Sequence, residues 1–179
     1  MIMNLLYGLG FILVLTLQTG AVASLPEPWR FFPLGLIVGV VLLHERSVVL
    51  GAVWLSMFGL VLEVRGLGAG LGFAGVCSAA IASALVIGVF AKRSFWALLS
   101  VAGITAITFV LARLVWLGGL SILTEQTFGL GELFKQGLST VLMAIIGIVI
   151  FGAYLRRLIK WSRDKFVRKG QLYDISLPQ

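Results

Sequence analysis

Charged residues are scarce in this sequence: Lys, Arg, Asp and Glu together make up 12% of its 179 residues, about half the share found in soluble domains. Hydrophobic residues make up 60%, and the mean hydropathy is +1.09. So few polar residues cannot cover a water-facing surface, which excludes a soluble globular protein. At roughly 20 residues per span, the length allows about five to seven spans and no separate soluble domain. The sequence therefore predicts an integral membrane protein.

Cysteine and histidine each occur once, at Cys77 and His44. A single cysteine excludes an internal disulfide, and neither residue has a second Cys or His at zinc or iron–sulfur spacing. We interpret Cys77 as a small packing residue and His44-Glu45 as a solvated turn. A Ser-His-Asp set, an HExxH motif and paired aspartates are also missing. The sequence predicts no enzyme, no metal and no cofactor.

Six apolar segments, separated by short polar turns, predict an all-α bundle. They cover about 2–24, 29–43, 48–64, 71–90, 95–117 and 138–155. The first resembles a secretory signal but is too long and has no basic residue before it, so we interpret it as a retained span. The second is short, which indicates a tilted helix or a locally thinned bilayer. The link 118–136 has spaced apolar residues and predicts a short interfacial helix.

Basic residues are distributed unevenly between the two sides that six spans create. One side has ten, namely Arg46, Lys92, Arg93 and the seven of the tail, and the other has three, Arg30, Arg65 and Lys135. The positive-inside rule then places both termini in the cytoplasm. We predict a six-helix transmembrane domain, 1–155, followed by a basic amphipathic cytoplasmic tail, 156–179, in a multi-pass membrane protein.

The tail places apolar residues among seven basic ones, and as a helix it would be amphipathic. The basic residues are Arg156, Arg157, Lys160, Arg163, Lys165, Arg168 and Lys169. Each cation near an anionic leaflet contributes about 1 kcal/mol. The tail therefore predicts contact with anionic lipids or docking of a partner protein, and a simple topology anchor explains it equally well.

Four alternating glycines follow Glu63 in the stretch EVRGLGAGLG, 63–72. The spacing fits neither a dinucleotide fingerprint nor a phosphate loop, and we predict no nucleotide or nucleic-acid partner. Small residues four apart let helices approach closely. The predicted packing residues are Gly66, Gly68, Gly70, Gly72, Ala74, Ser78 and Ala82. They favour a fourth helix that lies in the bundle interior or at a tight partner interface.

Two ionisable residues, Glu63 and Arg113, lie at matching depths in the third and fifth segments. A charge at membrane depth costs at least about 2.5 kcal/mol near the middle and usually faces a partner inside the bundle. We predict an intramembrane ion pair between them. The alternative is that Arg113 extends to the interface and Glu63 simply ends its helix.

The order of features resembles the rod shape-determining protein MreD family of small six-span proteins. The residues that carry the resemblance are Pro33-Leu34-Gly35-Leu36-Ile37 through Gly51, then Gly59-Leu60-Val61-Leu62-Glu63 before a glycine turn, and the exit Tyr154-Leu155-Arg156-Arg157-Leu158. Glu63 stands where an aspartate is usual in that family, and the basic tail is long for it.

The resemblance implies a non-enzymatic scaffold of the cell-wall elongation machinery in the bacterial inner (cytoplasmic) membrane, with an S-component-like six-helix bundle. Its implied partners are an MreC-like membrane protein and, indirectly, the MreB filament and the elongation synthase with its transpeptidase. Two other functions stay open: a substrate-binding S component of an energy-coupling factor vitamin transporter, which predicts a polar and aromatic pocket near the outer face, or another small membrane transporter.

Overall fold

A computed structural model describes residues 2–64, 70–89, 94–124, 130–155, 157, 158 and 161. Over these residues the chain is helical and contains no strand, which confirms the all-α class for this part of the chain. The helices are α1 (Ile2–Leu17), α2 (Leu34–Glu45), α3 (Val48–Val64), α4 (Leu71–Gly88), α5 (Phe95–Thr124) and α6 (Leu130–Gly147).

Tighter and wider helical turns adjoin three of these helices. A π-helical turn, Gln18–Val22, extends α1, and another, Ile148–Gly152, extends α6. A 3₁₀ turn, Trp29–Phe31, comes before α2. Pro33 has a non-helical backbone conformation and separates that turn from α2. Such turns rotate the side chains that follow and are frequent at functional sites.

Three helical stretches are long and apolar enough to cross a membrane: Leu71–Gly88, Phe95–Ile122 and Leu133–Leu155. Shorter apolar helices cover Leu6–Val22, Leu34–Glu45 and Val48–Val64. The predicted interfacial helix over 118–136 is wrong, because α5 continues to Thr124 and α6 already begins at Leu130. The described residues of that link therefore belong to the ends of two long helices.

The short helix α2 lies at the centre of the bundle. It contacts each of the five other helices, and its buried residues run from Gly35 to Glu45 with a single break at Val38. A helix that is apolar on all sides is a buried one. The neighbours of α2 therefore surround it, and the tilt or thinned bilayer that its short length suggested stays a prediction.

Helix α4 is buried on one side and exposed on the other. Ala74, Ser78 and Ala82 are fully buried, whereas Phe73 and Val76 are almost half exposed. The interpretation of the fourth helix as interior therefore holds for one face only, and α2 occupies the central position instead.

Trp54 connects α3 to the first turn of α2. Its indole Nε1–H donates a hydrogen bond of 3.1 Å to the carbonyl oxygen of Gly35, and the side chain is buried. Phe11 of α1 packs edge-on against the same ring, with centroids 5.0 Å apart. Trp54 therefore joins three helices through one polar and one aromatic contact.

We expect Trp54→Phe to lower the free energy of unfolding by about 1 to 2 kcal/mol, since it removes one buried hydrogen bond and part of a packed ring. Trp96→Phe is the matched control, because Trp96 is 74% exposed. Thermal unfolding in a mild detergent measures both. Equal losses for the two variants would show that the bond between Trp54 and Gly35 contributes nothing.

Candidate functional site: the α3–α4 corner and its cavity

The carboxylate of Glu63 caps the N-terminus of α4. Its Oε1 accepts a hydrogen bond from the backbone N–H of Gly70 at 3.0 Å, and its Oε2 accepts from Leu71 at 2.6 Å and Gly72 at 3.3 Å. The first N–H groups of a helix have no partner within the helix. Glu63, at the end of α3, supplies that partner together with a negative charge that the helix dipole favours.

The predicted ion pair between Glu63 and Arg113 is not formed in the structure. Salt bridges within 4.0 Å over the described residues join Arg30 to Glu27 and His44 to Glu45. Glu63 is close enough for its charge to act on Arg113, but its oxygens are bonded to the backbone of α4. The matched depths therefore did not give the bonding partner of Glu63, which is the backbone at the start of α4.

Gly70 turns the chain into α4 with a left-handed backbone, at φ +85°. Only glycine adopts this conformation readily. A Cβ on Gly70 would also lie 2.6 Å from Cδ1 of Trp116, on α5. The predicted packing residues Gly66 and Gly68, and the basic residue Arg65, lie outside the described residues.

Helices α3 and α4 meet through glycine on each side. A Cβ on Gly59 would lie 2.5 Å from the carbonyl oxygen of Leu71 and 2.9 Å from Cα of Gly75. A Cβ on Gly72 would lie 3.1 Å from Cδ2 of Leu60. The backbones are thus close enough to exclude a side chain at Gly59, and this spacing allows the carboxylate of Glu63 to reach the start of α4.

A cavity of about 220 Å³ lies beside this corner; we call it the Arg113 cavity. Its walls come from the end of α1, the 3₁₀ turn, α2, α3, the start of α4, α5 and α6. Its lining includes Gln18, Arg30, Leu36, Phe58, Phe109, Arg113 and Thr140. They place two guanidinium groups, an amide and a hydroxyl among aromatic and aliphatic side chains.

Gln18 holds one wall of this cavity in place. Its Nε2 donates to the carbonyl oxygen of Phe32 at 3.0 Å, and its Oε1 accepts from the backbone N–H of Leu34 at 2.7 Å. These two bonds pair the backbone on both sides of Pro33, which has no N–H of its own. The sequence analysis did not predict this role. Pro33 was a usable signal, because the backbone groups beside a proline need a polar partner.

His44 and Glu45 are buried, with 1% and 5% of their surfaces exposed, so their interpretation as a solvated turn is wrong. The two side chains lie 3.2 Å apart, from His44 Nδ1 to Glu45 Oε1. They are buried because α2 continues through Glu45 at the centre of the bundle. Sequence alone marked them as polar residues in a turn and did not show that neighbouring helices cover them.

The basic tail is described at three positions only. Arg157 is exposed, and so are Leu158 and Trp161. The other predicted docking residues lie outside the described residues: Arg156, Lys160, Arg163, Lys165, Arg168 and Lys169. Lipid or partner contact of the tail therefore stays a prediction.

Within the described part of the chain, no group of three or more His, Cys, Asp or Glu residues is arranged to hold a metal ion. Cys77, which the sequence placed as a packing residue, is a partly buried free thiol. Two guanidinium groups, an amide and a hydroxyl lie together in the lining of the Arg113 cavity. The chain matches no protein-family model, no curated protein and no solved structure.

Proposed function

We propose that this chain is a non-enzymatic scaffold of a bacterial cytoplasmic membrane that acts in cell-wall elongation, as the MreD family does. In this proposal each of the six helices crosses the membrane once, and both termini lie in the cytoplasm. In this orientation the α2–α3 turn with Arg46 and the exposed Arg157 lie inside, and Arg30 and the α3–α4 corner lie outside. This agrees with the charge bias of the sequence.

The α3–α4 corner is the observation that supports the proposal most. One of the three stretches that carry the family resemblance begins at Gly59 and ends at Glu63, and both residues have defined roles in the structure. Gly59 allows α4 to approach, and Glu63 caps it. The resemblance therefore falls on residues that build one local feature, which is more informative than a shared apolar composition.

An exposed apolar helix supplies a surface for a membrane partner. On α1, Leu9, Ile12 and Leu13 are each more than half exposed. Lipid covers such a face in a free protein, and a transmembrane helix of an MreC-like protein fits the same chemistry. The MreB filament and the synthase with its transpeptidase would then be reached through that partner, and the basic tail would meet the anionic inner leaflet.

Depletion of the protein tests this proposal. Cells that lose it are expected to round up or change width, and re-expression of the native chain restores the rod shape. Gly59→Leu is expected to fail in the rescue because it separates α3 from α4, whereas Gly103→Leu is expected to succeed because a Cβ there meets nothing within 4 Å. Unchanged cell shape on depletion would contradict the scaffold function.

A second candidate function is the S component of a vitamin transporter, and the Arg113 cavity is the observation that favours it. A pocket with polar and aromatic walls, on the side that the charges place outward, is what such a module requires. Impaired uptake of a vitamin on depletion, with cell shape unchanged, would favour this function over the scaffold.

A further inference from the structure

Arg113 has no hydrogen-bond or salt-bridge partner in the part of the chain that the structure describes. Its Nε is buried and bonds to no acceptor. A guanidinium carries five N–H donors and stays charged under all physiological conditions. A cation at this depth is costly and normally faces a partner of opposite charge. The Arg113 side chain therefore brings a set of free donors to the wall of the cavity.

The two carboxylates on the neighbouring elements are already bonded elsewhere. Glu63 accepts three backbone N–H groups of α4, and Glu27 pairs with Arg30 at the cavity rim. Glu63 lowers the net charge near Arg113 without supplying an acceptor to it. The charge of Glu63 partly offsets that of Arg113, so Arg113 differs from Arg30 in its unbonded donors and not in a stronger attraction for anions.

The remaining walls of the cavity are mostly apolar, and this strengthens the attraction. Phe58 is 4% exposed and Leu36 is 2% exposed, and Phe109 completes this side. A charge interacts more strongly with an opposite charge in such surroundings than in water. Gln18 and Thr140 also line the cavity, and their polar groups are bonded to the backbone of Phe32, Leu34 and Gln136.

We propose that the Arg113 cavity binds a small molecule or a lipid headgroup through one carboxylate or phosphate group. The planar fork of a guanidinium matches the paired oxygens of either group. A cavity of about 220 Å³ is smaller than the usual drug-sized pocket of about 300 to 1,000 Å³, so the occupant is small, with its apolar part against Phe58 and Phe109. The inference does not rest on the scaffold function, because this chain alone forms the cavity.

Titration of the full-length protein in dodecyl maltoside, an uncharged detergent, tests the dissolved form of the ligand. Benzoate and inorganic phosphate are the probes, and calorimetry is the readout, in a buffer that contains sodium chloride so that a signal marks preference over chloride. We expect at least one probe to bind and Arg113→Gln to weaken it at least about tenfold. Lys135→Gln, which removes an exposed cation outside the cavity, is expected to leave the affinity unchanged.

The lipid form of the ligand is tested on the same three proteins by native mass spectrometry after purification from phosphatidylglycerol-containing membranes. Retained phosphatidylglycerol that is lost in Arg113→Gln and kept in Lys135→Gln identifies a headgroup site, whereas binding of a dissolved probe identifies a soluble ligand. The absence of binding in both experiments, or equal binding by the two variants, would overturn the proposal.

The unfolding temperatures of the ligand-free variants show whether Arg113 has a purely structural role. Arg113→Gln removes a cation without an acceptor, so its unfolding temperature should equal or exceed that of the native chain. If Arg113→Gln unfolds at a lower temperature than Lys135→Gln, or does not fold, the side chain has a structural partner and the proposal is overturned.

Discussion

Replacement of Glu63 by alanine is expected to lower the free energy of unfolding by about 3 kcal/mol, because hydrogen bonds to a charged acceptor contribute about 1.5 to 3 kcal/mol each and three are lost together. Two effects keep the loss below the sum: water at the membrane surface can replace part of the bonding, and the start of α4 can relax. Reversible unfolding in mixed micelles measures the change.

Two further variants separate the cap from the charge. Glu63→Gln keeps one carbonyl oxygen as an acceptor, and we expect it to recover about half of the loss, although it is as neutral as alanine. Val64→Ala is the control, since Val64 is 87% exposed and its change should be small. Equal losses for Glu63→Gln and Glu63→Ala would mean that only the charge of Glu63 matters.

Gly51→Ala is expected to have an effect of similar size, for a steric reason. A Cβ on Gly51 would overlap the backbone nitrogen and Cα of Leu43, on the central helix α2. Overpacking in a core costs about 1 to 3 kcal/mol and more where backbone must move. We therefore expect a loss near or above the upper limit, visible as a lower unfolding temperature and a poorer yield of folded protein.

Gly103→Ala is the matched control for this prediction. Gly103 is also a helical glycine, but a Cβ there meets nothing within 4 Å. Alanine is the better helix former by about 1 kcal/mol, so Gly103→Ala should be neutral or slightly stabilising. A loss at Gly103 as large as that at Gly51 would show that helix contact is not what makes Gly51 necessary.

The sequence predicted the bounds of α3 correctly, from Val48 to Val64, because polar turns and glycines limit its apolar run on both sides. It placed the end of the fifth segment too early, at Leu117. Apolar length reports the thickness of the hydrocarbon layer and not the end of a helix. Gly118 and Gly119 have open space around them and nothing there ends the helix, which continues to Thr124.

The partner of Glu63 was beyond the sequence argument because depth in the membrane does not give the direction of a side chain. A signal for the cap was present, however. Helix α4 begins after Gly70 with no Ser, Thr, Asp or Asn to accept from its first N–H groups. The acceptor had to come from another residue, and Glu63 is the acidic residue that precedes the turn.

Burial of His44 and Glu45 was unpredictable for a different reason. Local polarity and a nearby arginine favour a surface turn, and that argument ignores which helix is central. The two residues are buried because α2 contacts all five other helices. Since α2 and α3 have nearly the same apolar character along the chain, only tertiary packing distinguishes the buried helix from the one at the periphery.

A double-mutant cycle on Glu63→Ala and Arg113→Gln tests the central claim, that Glu63 acts on the backbone of α4 and leaves Arg113 to the cavity. The free energies of unfolding of the native chain, both single variants and the double variant are measured under the same conditions without added anion. The account predicts that the two changes add within about 0.5 kcal/mol. A coupling above about 1.5 kcal/mol would contradict it, because couplings of that size are typical of residues in contact or in one hydrogen-bond or salt-bridge network.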